Sequence, residues 1–366
     1  MTNKDLKIDK IFLVSVILLT VAGFFIFTSA SLGLLARDGA SFQSVALKQS
    51  IGLIIGTIIF YVMSKINYKN LKKHAFYIFI SAIALNLLLF IPFLTLDHGG
   101  ASRWIDLGFV TFQPSEFLKI AFIIYFAAWL SSIKEKVESF KLGIMPYIII
   151  VGVLALLLLA QPDTDTLIVI AGTGLIMLLA AGARIKHILM LGLAMLLMLG
   201  LVISFRPYVK QRIMTFFNHS SDPQGSGYQI QQSLIAIGSG QGTGRGFGQS
   251  VQKFNYLPEP IGDSIFAVSA EEFGFIGSVV LIALFLLFFI RSIKISVNSV
   301  DSFGGLTVLG IAILIIVESF MNISSMLGII PLSGMPLLFV SHGGTALIIT
   351  LGAAGIIANI SKFKKA

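Results

Sequence analysis

The chain has 366 residues, of which 56% are hydrophobic and only 12% are charged. Soluble globular domains carry about 25% charged residues, so a chain this apolar could not hide its hydrophobic surface from water. The composition therefore excludes an ordinary soluble enzyme and a soluble nucleic-acid binder, despite a formal net charge of +9. There are no cysteines, which excludes disulfides, thiolate metal ligands and cysteine nucleophiles.

Long uncharged runs predict membrane-spanning helices, because about 20 apolar residues cross the hydrocarbon core of a bilayer. Ten spans are expected, at 11–36, 46–64, 75–96, 114–133, 142–162, 166–183, 188–205, 273–290, 304–326 and 338–361. The first run is too long for the apolar core of a signal peptide and no small-residue cleavage motif follows it, so we expect it to be retained. The expected fold class is an all-α polytopic membrane protein, with residues 1–366 forming a single transmembrane domain.

The distribution of Lys and Arg predicts the orientation of these spans. With the N-terminus in the cytoplasm, the inner segments hold 17 Lys and Arg and the short outer loops hold 3. Ten spans with both termini inside fit that asymmetry, which leaves little positive charge to support nucleic-acid binding. On this topology, the segment 205–264 between spans seven and eight is one long outer loop, and loops of that length are usually functional.

Charged residues at membrane depth are costly and mark candidate sites. Glu116 and Lys119 are three residues apart near the start of the fourth span, so they share a helix face. They either neutralise each other for insertion or line a cavity that opens outward. Asp163 and Asp165 lie in the tight turn between spans five and six, where they either cap a helix or hold a divalent cation such as Mg²⁺ or Mn²⁺.

The helix that contains the eighth span is expected to begin before the uncharged run itself, at Asp263, after the proline-stiffened segment 256–260. The position of Asp263 fits a helix N-cap. A carboxylate kept ionised at a helix N-terminus and held rigidly at the outer face is also what a general base requires. Two turns deeper, one of Glu271 and Glu272 is expected to face the bundle interior. His342, in a segment rich in Pro and Gly, is more typical of a packing residue than of a ligand.

Glycines occupy every even position from Gly238 to Gly248. The dinucleotide-binding motif requires the second and third glycines to be three residues apart, so this parity excludes it, and no Gly-Lys-Ser/Thr follows to form a phosphate-binding loop. The run is either a flexible loop or, together with Arg245, a set of backbone amides suited to a phosphate or pyrophosphate group.

Motifs in a fixed order along nearly the whole chain resemble the SEDS family of bacterial membrane proteins, the FtsW/RodA group. They are Lys48-Gln49, Gly100 to Ile105, Gln113 to Lys119, Gln161 to Asp163, Gly227 to Ser233, Gly248 to Lys253, Leu257-Pro258-Glu259 before Asp263, Glu271 to Gly274, and Ser341 with Gly343-Gly344. The string Ser250-x-Gln252-Lys253 is closer to the FtsW branch than to the RodA branch. The sequence departs from the family pattern at Asp165, Gly262, Ser264 and His342, whereas the carboxylate at position 263 is retained.

The resemblance implies a peptidoglycan glycosyltransferase that polymerises lipid II into β-1,4 glycan strands during cell division, with Asp263 at the family's proposed catalytic position. It implies a multi-pass protein of the bacterial cytoplasmic membrane with both termini cytoplasmic and the active site facing outward. The expected partners are lipid II, a class B penicillin-binding protein transpeptidase, other membrane proteins of the divisome and membrane lipid, with no nucleic acid.

The sequence requires no cofactor, and a divalent cation stays an open alternative. The residues expected to bind substrate are Lys48, Arg103, Glu116, Lys119, Asp163, Arg245, Lys253, Glu259, Glu272 and Ser341. Lys119, Arg103, Arg245, Lys253 or a divalent cation would offset the charge of the leaving pyrophosphate. A lipid II flippase and a non-catalytic divisome scaffold are the alternative functions.

Overall fold

The computed structural model describes residues 7–36, 42–91, 95–98, 101–106, 111–218, 222 and 225–365. Gly100, quoted in one of the motifs above, lies outside the described residues. The helices in the described residues are α1 (Lys10–Ser31), α2 (Phe42–Lys65), α3 (Tyr68–Leu87), α4 (Pro114–Ile133), α5 (Met145–Ala160), α6 (Thr164–Ala180), α7 (Ile185–Phe205), α8 (Pro207–Phe217), α9 (Ser226–Ser239), α10 (Ile265–Val297), α11 (Ser302–Met326) and α12 (Gly344–Ile360).

The described residues contain eight helices that are long and apolar enough to cross a membrane, which are α1 to α5, α7, α10 and α11. Helix α5 reaches this length together with the π-helical turn before it, as the 21-residue segment Phe140–Ala160. Two further apolar helices, α6 and α12, are shorter, at 17 residues each. Every predicted span coincides with one of these helices. The all-α, multi-pass fold class is therefore confirmed, while the two short helices leave the count of ten crossings a prediction.

Three of the predicted spans begin six or more residues away from the start of the corresponding helix. The eighth was expected to begin at 273, but α10 begins at Ile265. The third was expected to begin at 75, but α3 begins at Tyr68 because Asn67 caps it, with Asn67 Oδ1 accepting a hydrogen bond from the Lys69 N–H at 3.0 Å. The tenth was expected to begin at 338, but α12 begins at Gly344. The residues just before it form a loop that bonds to the segment preceding α10.

A small antiparallel sheet between α3 and α4 was not expected from the sequence. Its strands are β1 (Thr95–His98), β2 (Ala101–Asp106) and β3 (Thr111–Phe112), in that order across the sheet. Ile105 pairs with Thr95 on one side and with Phe112 on the other. The sheet positions Arg103 beside the turn between α5 and α6, as described below.

The bundle is centred on α4 and α11. Within an apolar 18-residue stretch of each helix, 67% of the residues of α4 and 72% of those of α11 are buried, whereas only 11% of those of α7 are buried. The outward leucines of α7, such as Leu193 and Leu196, are therefore free to face lipid. A helix that is apolar all round but mostly unburied within the protein is what a membrane span at the edge of a bundle requires.

The two described ends of the chain meet at one end of the bundle. Asp9 forms a bidentate ion pair with Arg291 at 2.8 Å, and Lys364 Nζ lies 3.6 Å from Asp9 Oδ2. Arg291 lies near the C-terminal end of α10, and Asp263 precedes the first turn of the same helix. At a rise of 1.5 Å per residue, the two residues are about 40 Å apart. The two described chain ends thus lie together at the end of the bundle opposite Asp263, and ends that meet are the arrangement that an even number of crossings produces.

Helix α10 is interrupted at Gly274, whose φ of 65° and ψ of −163° lie outside the helical region. In an uninterrupted helix, the N–H groups of Phe275 and Ile276 would donate to the carbonyl oxygens of Glu271 and Glu272. Four backbone polar groups therefore lose their helical partners at a depth where water is scarce, and each needs another partner.

The glycine run between α9 and α10 supplies these partners. Arg245 donates its backbone N–H to the carbonyl oxygen of Glu271 at 3.0 Å, and the next residue of the run donates to that of Glu272 at 2.9 Å. In return, the N–H groups of residues 275–276 donate to the carbonyl oxygens of residues 241–242 at 2.8 and 3.0 Å. Both sequence interpretations of the run are therefore wrong for these residues: it is ordered against α10, and the amides of 245–246 are already bonded within the chain.

Candidate active site

Residues 257–264, here called the aspartate loop, place Asp263 just before the first turn of α10. The N–H groups of Gly262 and Ser264 both donate to the carbonyl oxygen of Glu259, at 3.0 and 3.2 Å, which closes the loop into a tight turn. Ser264 occupies the N-cap position of α10, without a side-chain cap bond. The interpretation of Asp263 as the helix cap is therefore wrong, and its carboxyl is not used to begin the helix.

Hydrogen bonds from α11 and from the loop before α12 fix the backbone of the aspartate loop. They are accepted by the carbonyl oxygens of three successive residues, 261, 262 and 263. The His342 N–H donates to the first at 2.7 Å, and the Ser341 hydroxyl donates to the second at 2.9 Å. Asn322 Nδ2 donates to the third, that of Asp263 itself, at 2.7 Å. The backbone of the loop is thus fixed from three directions, while the Asp263 carboxyl is left to face the site.

Ser341 and His342 lie in the loop before α12, and the contacts that they make are structural. The Ser341 hydroxyl also accepts the Leu337 N–H at 2.8 Å, so the contacts that it makes hold the backbone. The His342 ring stacks on Phe27 with 5.7 Å between ring centroids, as expected of a packing residue. Burial and the nearby Lys48 ammonium both lower the pKa of His342, which places the exposed Lys48 on this side of the site.

The Asp263 carboxyl faces Arg212, a residue of α8. A Cβ atom on Gly334 would lie 3.6 Å from Asp263 Oδ2 and 3.5 Å from Arg212 Nη2, so both groups border that glycine. Arg212 Nη1 in turn forms an ion pair with Asp165 Oδ2 at 2.9 Å. Helix α8, part of the long loop, therefore folds back over the aspartate loop and brings a cation to it.

The expectation that the helix N-terminus keeps Asp263 ionised is wrong, because the surroundings of this carboxyl favour its protonated form more than water does. Burial and the neighbouring carboxylates of Glu259 and Asp165 raise its pKa to about 7, against the opposing pull of Arg212 and Arg103. A carboxyl with a pKa near neutrality accepts a proton more readily than an ordinary aspartate while still being ionised in a large fraction of molecules.

Arg103 binds the turn between α5 and α6. Its Nε donates to the carbonyl oxygen of Gln161 at 3.3 Å, and one of its Nη atoms donates to that of Pro162. The Tyr208 hydroxyl of α8 donates to the same Pro162 oxygen at 3.3 Å. The small sheet, the turn and α8 are thereby joined around the site, with the Arg103 charge close enough to affect Asp263.

The two carboxylates of that turn have separate tasks. Asp163 Oδ1 accepts the Thr166 N–H at 3.4 Å and caps α6, whereas Asp165 pairs with Arg212. Asp163 Oδ2 has no hydrogen-bond partner among the described residues, but no group of three or more His, Asp or Glu side chains in that part of the chain is arranged to hold a metal ion. A divalent cation at this turn therefore stays a prediction, and the two carboxylates that would hold it are Asp163 and Asp165.

Glu116 and Lys119 belong to a closed triad in the core. Lys119 Nζ bonds to Glu116 Oε1 at 2.8 Å and also to Glu318 Oε1 of α11, with at most 5% of any of the three side chains exposed. Glu116 and Lys119 therefore do not form an isolated neutral pair, because the Lys119 ammonium is shared with a second carboxylate, that of Glu318. Glu318 precedes Asn322 by one helical turn, so the triad lies directly below the aspartate loop.

Lys253 and Glu272 belong to a second closed cluster. Lys253 Nζ bonds to Glu272 Oε1 at 2.7 Å, to the Gly248 carbonyl oxygen at 2.9 Å and to the Ser29 hydroxyl oxygen at 3.2 Å. Both charged side chains are at most 1% exposed. Their contacts join α1 and the long loop to α10, rather than presenting charge to a ligand.

Glu271 is buried as well, so the expectation that only one of Glu271 and Glu272 faces the interior is wrong. Glu271 accepts hydrogen bonds from the Ser250 hydroxyl at 2.6 Å and from the N–H groups of Val251 and Gln252 at 3.1 and 3.2 Å. Arg245 Nε lies 3.3 Å from it, with 43% of the arginine side chain exposed. Residues 250–253 bond to both glutamates, so both lie inside the protein.

The residues predicted to bind substrate thus fall into three groups. The first group lies at the aspartate loop: Glu259 belongs to the loop, Arg103, Asp163 and Ser341 lie beside it, and Lys48 lies on the His342 side. Glu116 and Lys119 lie below it in the core, and Arg245, Lys253 and Glu272 lie in the second cluster. Three residues escaped the sequence reasoning, namely Arg212, Glu318 and Asn322. Only Glu318 had a visible signal, since it is a lone carboxylate within the apolar run 304–326.

Fold and site together define a multi-pass α-helical membrane protein with a polar site, built around one partly buried carboxyl, at one end of an apolar bundle. The family model for FtsW, RodA and SpoVE, described as cell cycle protein, matches residues 9–366. The chain therefore belongs to the FtsW/RodA/SpoVE family.

Individual relatives match over nearly their whole length. A protein of Geobacter sp. (strain M18) named "Probable peptidoglycan glycosyltransferase FtsW" is 38% identical over 356 residues, covering 96% of each chain. "Stage V sporulation protein E" of Bacillus subtilis (strain 168) is 36% identical over 367 residues, covering 100% of each.

Solved structures share the fold. A chain from work on the structural coordination of polymerization and crosslinking by a peptidoglycan synthase complex superposes with a TM-score of 0.79 at 23% identity, covering 97% of each chain. A mutant of the rod shape determining protein RodA from Thermus thermophilus superposes with a TM-score of 0.68 at 21% identity, also covering 97% of each.

Proposed function

We propose that this chain is a peptidoglycan glycosyltransferase that polymerises lipid II into β-1,4 glycan strands during cell division, with Asp263 as its general base. The observation that carries the proposal is the Asp263 carboxyl itself, with a pKa raised to about 7 on a backbone fixed at three successive carbonyl oxygens. The name of the Geobacter relative supports the reaction class.

In the proposed reaction, an Asp263 carboxylate oxygen takes the proton from the 4-hydroxyl of the acceptor sugar. The hydroxyl oxygen attacks the anomeric carbon of the donor sugar from the face opposite the lipid pyrophosphate. The new carbon–oxygen bond forms as the bond to the pyrophosphate oxygen breaks, so an α-linked donor becomes a β-1,4 linkage. General base catalysis of this kind contributes about 10²–10⁴-fold to rate.

The departing pyrophosphate gains negative charge, which needs nearby cations. Arg212 and Arg103 are the cations whose charges act on Asp263 in the structure. The guanidinium of Arg212 is oriented by its ion pair with Asp165. A planar guanidinium held in this way can bind phosphate oxygens through two N–H groups, and it pays less entropy on binding because its position is already fixed.

The protein acts in the bacterial cytoplasmic membrane, with both termini cytoplasmic and the site on the outer side. The excess of Lys and Arg on the predicted inner segments supports this orientation, as do the described chain ends, which meet at the end opposite Asp263. Its partner is a class B penicillin-binding protein transpeptidase, which is supported by the structural neighbour from a peptidoglycan synthase complex. Other membrane proteins of the divisome would join this pair.

The test is polymerisation by the purified full-length chain in detergent, supplied with lipid II, with and without a class B partner. Because detergent micelles have no second side to reach, glycan chains formed there show an enzyme and not a flippase. The proposal expects polymer in at least the sample with the partner. Absence of polymer in both samples, while the same protein in lipid vesicles moves lipid II between leaflets, would overturn it in favour of transport. Absence of both activities would indicate a scaffold.

A further inference from the structure

A large cavity lies at the end of the bundle opposite Asp263, with no part in the proposed chemistry. Its volume is about 1040 Å³. It is enclosed by the C-terminal ends of α4, α6 and α10 and by the start of α11, together with residues from α3 and the C-terminal segment. Because several separate elements converge on it, the cavity is a product of the fold and not a gap beside one loop.

Three lysines line this cavity from three separate segments of the chain. Lys72 comes from α3, Lys134 follows α4, and Lys365 follows α12. All three are exposed, and none forms an ion pair with a carboxylate among the side chains that the structure describes. Lys72 Nζ lies 5.8 Å from the ring centroid of Phe303, which also lines the cavity and orients that ammonium group.

The carboxylates that line the cavity have partners already. Glu138 pairs with Arg184 at 3.0 Å. Asp301 caps α11, accepting the Gly304 N–H at 2.7 Å, and its other oxygen accepts the Tyr68 hydroxyl at 2.7 Å. With the Glu138 charge offset by an arginine, the lining presents three ammonium groups against one carboxylate. A ligand with negative charge is what this lining favours.

The remaining walls are apolar. Leu130, Ile293, Val297 and Leu309 line the cavity, and Val297 is 69% exposed at its rim. These residues belong to membrane-spanning helices, so the apolar wall continues toward the hydrocarbon region while the lysines lie at the helix ends. A free phosphate or an acidic peptide would use the lysines and leave this wall bare, whereas a lipid uses both.

We propose that this cavity binds the headgroup of an anionic phospholipid from the leaflet on its own side of the membrane. The phosphate oxygens contact Lys72, Lys134 and Lys365, and the first carbons of an acyl chain lie along Ile293 and Val297. Basic pockets between membrane helices on the cytoplasmic side bind such headgroups, and the cavity is large enough for a headgroup and glycerol. The inference is independent of the glycosyltransferase assignment, since it concerns the opposite end of the molecule.

The test is lipid binding by the purified full-length protein, followed by native mass spectrometry during titration with phosphatidylglycerol, phosphatidylcholine or inorganic phosphate. The variant K72Q/K134Q/K365Q removes the three ammonium groups of the cavity. The matched control K65Q/K69Q/K73Q removes three exposed lysines from the same end of the bundle that do not line it. Each lysine near a headgroup is worth about a fivefold change in affinity, so the cavity variant should bind phosphatidylglycerol about 100-fold more weakly.

The expected result is preferential binding of phosphatidylglycerol over phosphatidylcholine, lost in the cavity variant and kept within about threefold in the control. Equal losses in both variants would show a diffuse surface attraction and overturn the proposal. Displacement of the lipid by millimolar inorganic phosphate would show a simple anion site and overturn it as well. As a second measurement that needs no variant, a phosphatidylglycerol carrying a photoreactive group near its glycerol should crosslink the wild-type chain within 293–309. Crosslinks confined to other segments would contradict the assignment.

Discussion

Asn322 donates its side-chain amide to the backbone carbonyl oxygen of Asp263 at 2.7 Å and, with the same nitrogen, to that of Met335 at 2.7 Å. One buried residue of the central helix α11 thus joins the aspartate loop to the loop that precedes α12. The carboxyl proposed to act in the reaction is held through its own backbone, and neither of its side-chain oxygens forms a hydrogen bond within the part of the chain that the structure describes.

Asn322→Ala removes both hydrogen bonds and should cost turnover more than binding. Each buried carbonyl left without a partner costs about 1–3 kcal/mol, and a displacement of about 1 Å at a reacting group can cost about 100-fold in rate. We expect kcat to fall 10- to 100-fold (an order-of-magnitude range) with a smaller change in KM and an unchanged acidic limb of the pH profile. Thr307→Ala is the control, because the Thr307 hydroxyl bonds within the same helix, to the Phe303 carbonyl oxygen. A similar loss in both variants would show general destabilisation.

The pH profile of kcat/KM should report the titration of Asp263. A general base works in its deprotonated form, so a pKa raised to about 7 makes activity fall about tenfold per pH unit below 7 and level off above it. Glu259→Gln removes a carboxylate that raises this pKa, so the acidic limb should move to lower pH. Glu138→Gln, at the other end of the bundle, should leave the limb in place. A limb that stays at the same pH in Glu259→Gln, or moves to higher pH, would contradict the assignment.

The triad of Glu116, Lys119 and Glu318 predicts unequal costs for two substitutions. Lys119→Met leaves two carboxylates buried without a cation, and uncompensated buried charge costs about 3–5 kcal/mol. Glu318→Gln leaves one ammonium with one carboxylate and keeps an oxygen acceptor for Lys119, so it should cost no more than the about 1.5–3 kcal/mol of a hydrogen bond to a charged group, and less than Lys119→Met. Thermal unfolding of the purified variants in detergent compares them. Equal destabilisation by both would show that the second carboxylate is required.

The break in α10 requires glycine at two facing positions. A Cβ on Gly274 would lie 2.3 Å from the Gly244 nitrogen, and the φ of Gly274 is +65°. Gly274→Ala should therefore add about 1–3 kcal/mol of backbone strain to this clash and lower the unfolding temperature by several degrees. Gly238→Ala, in helix α9 with nothing within 4 Å of its Cβ, should be neutral or slightly stabilising. A tolerated Gly274→Ala would show that the run does not hold the kink as described.

Sequence reasoning succeeded where the signal is local. The apolar runs predicted the helices because membrane insertion depends on the composition of each segment. The proline-stiffened approach indicated Asp263 as a presented carboxyl, and the proton-accepting role assigned to it stays a prediction. The parity of the glycines is equally local, and the absence of a dinucleotide motif that it indicates stays a prediction.

The rest depends on contacts between distant segments. Arg212 reaches the site only because α8 folds back over it, and Asn322 reaches it only because α11 runs beneath the aspartate loop. The glycine run bonds to the backbone groups that the break in α10 leaves without helical partners, and that break lies about thirty residues further along the chain, at Gly274. No spacing within either segment encodes that pairing, so the sequence left the run open to two interpretations, and neither anticipated that the amides of residues 245–246 bond to α10.

The most direct measurement is the rate of glycan polymerisation by purified Asp263→Asn, beside the wild type and Glu138→Gln, with lipid II in detergent and the class B partner present. Asparagine keeps the size of the side chain and the backbone bonds of residue 263 but cannot take a proton. For Asp263→Asn we predict a rate about 10²–10⁴-fold below the wild type and an unfolding temperature no lower than that of the wild type, because the neutral amide avoids the cost of a buried charge. Glu138→Gln should polymerise lipid II at the wild-type rate. A folded Asp263→Asn protein that polymerises lipid II at the wild-type rate would contradict the account.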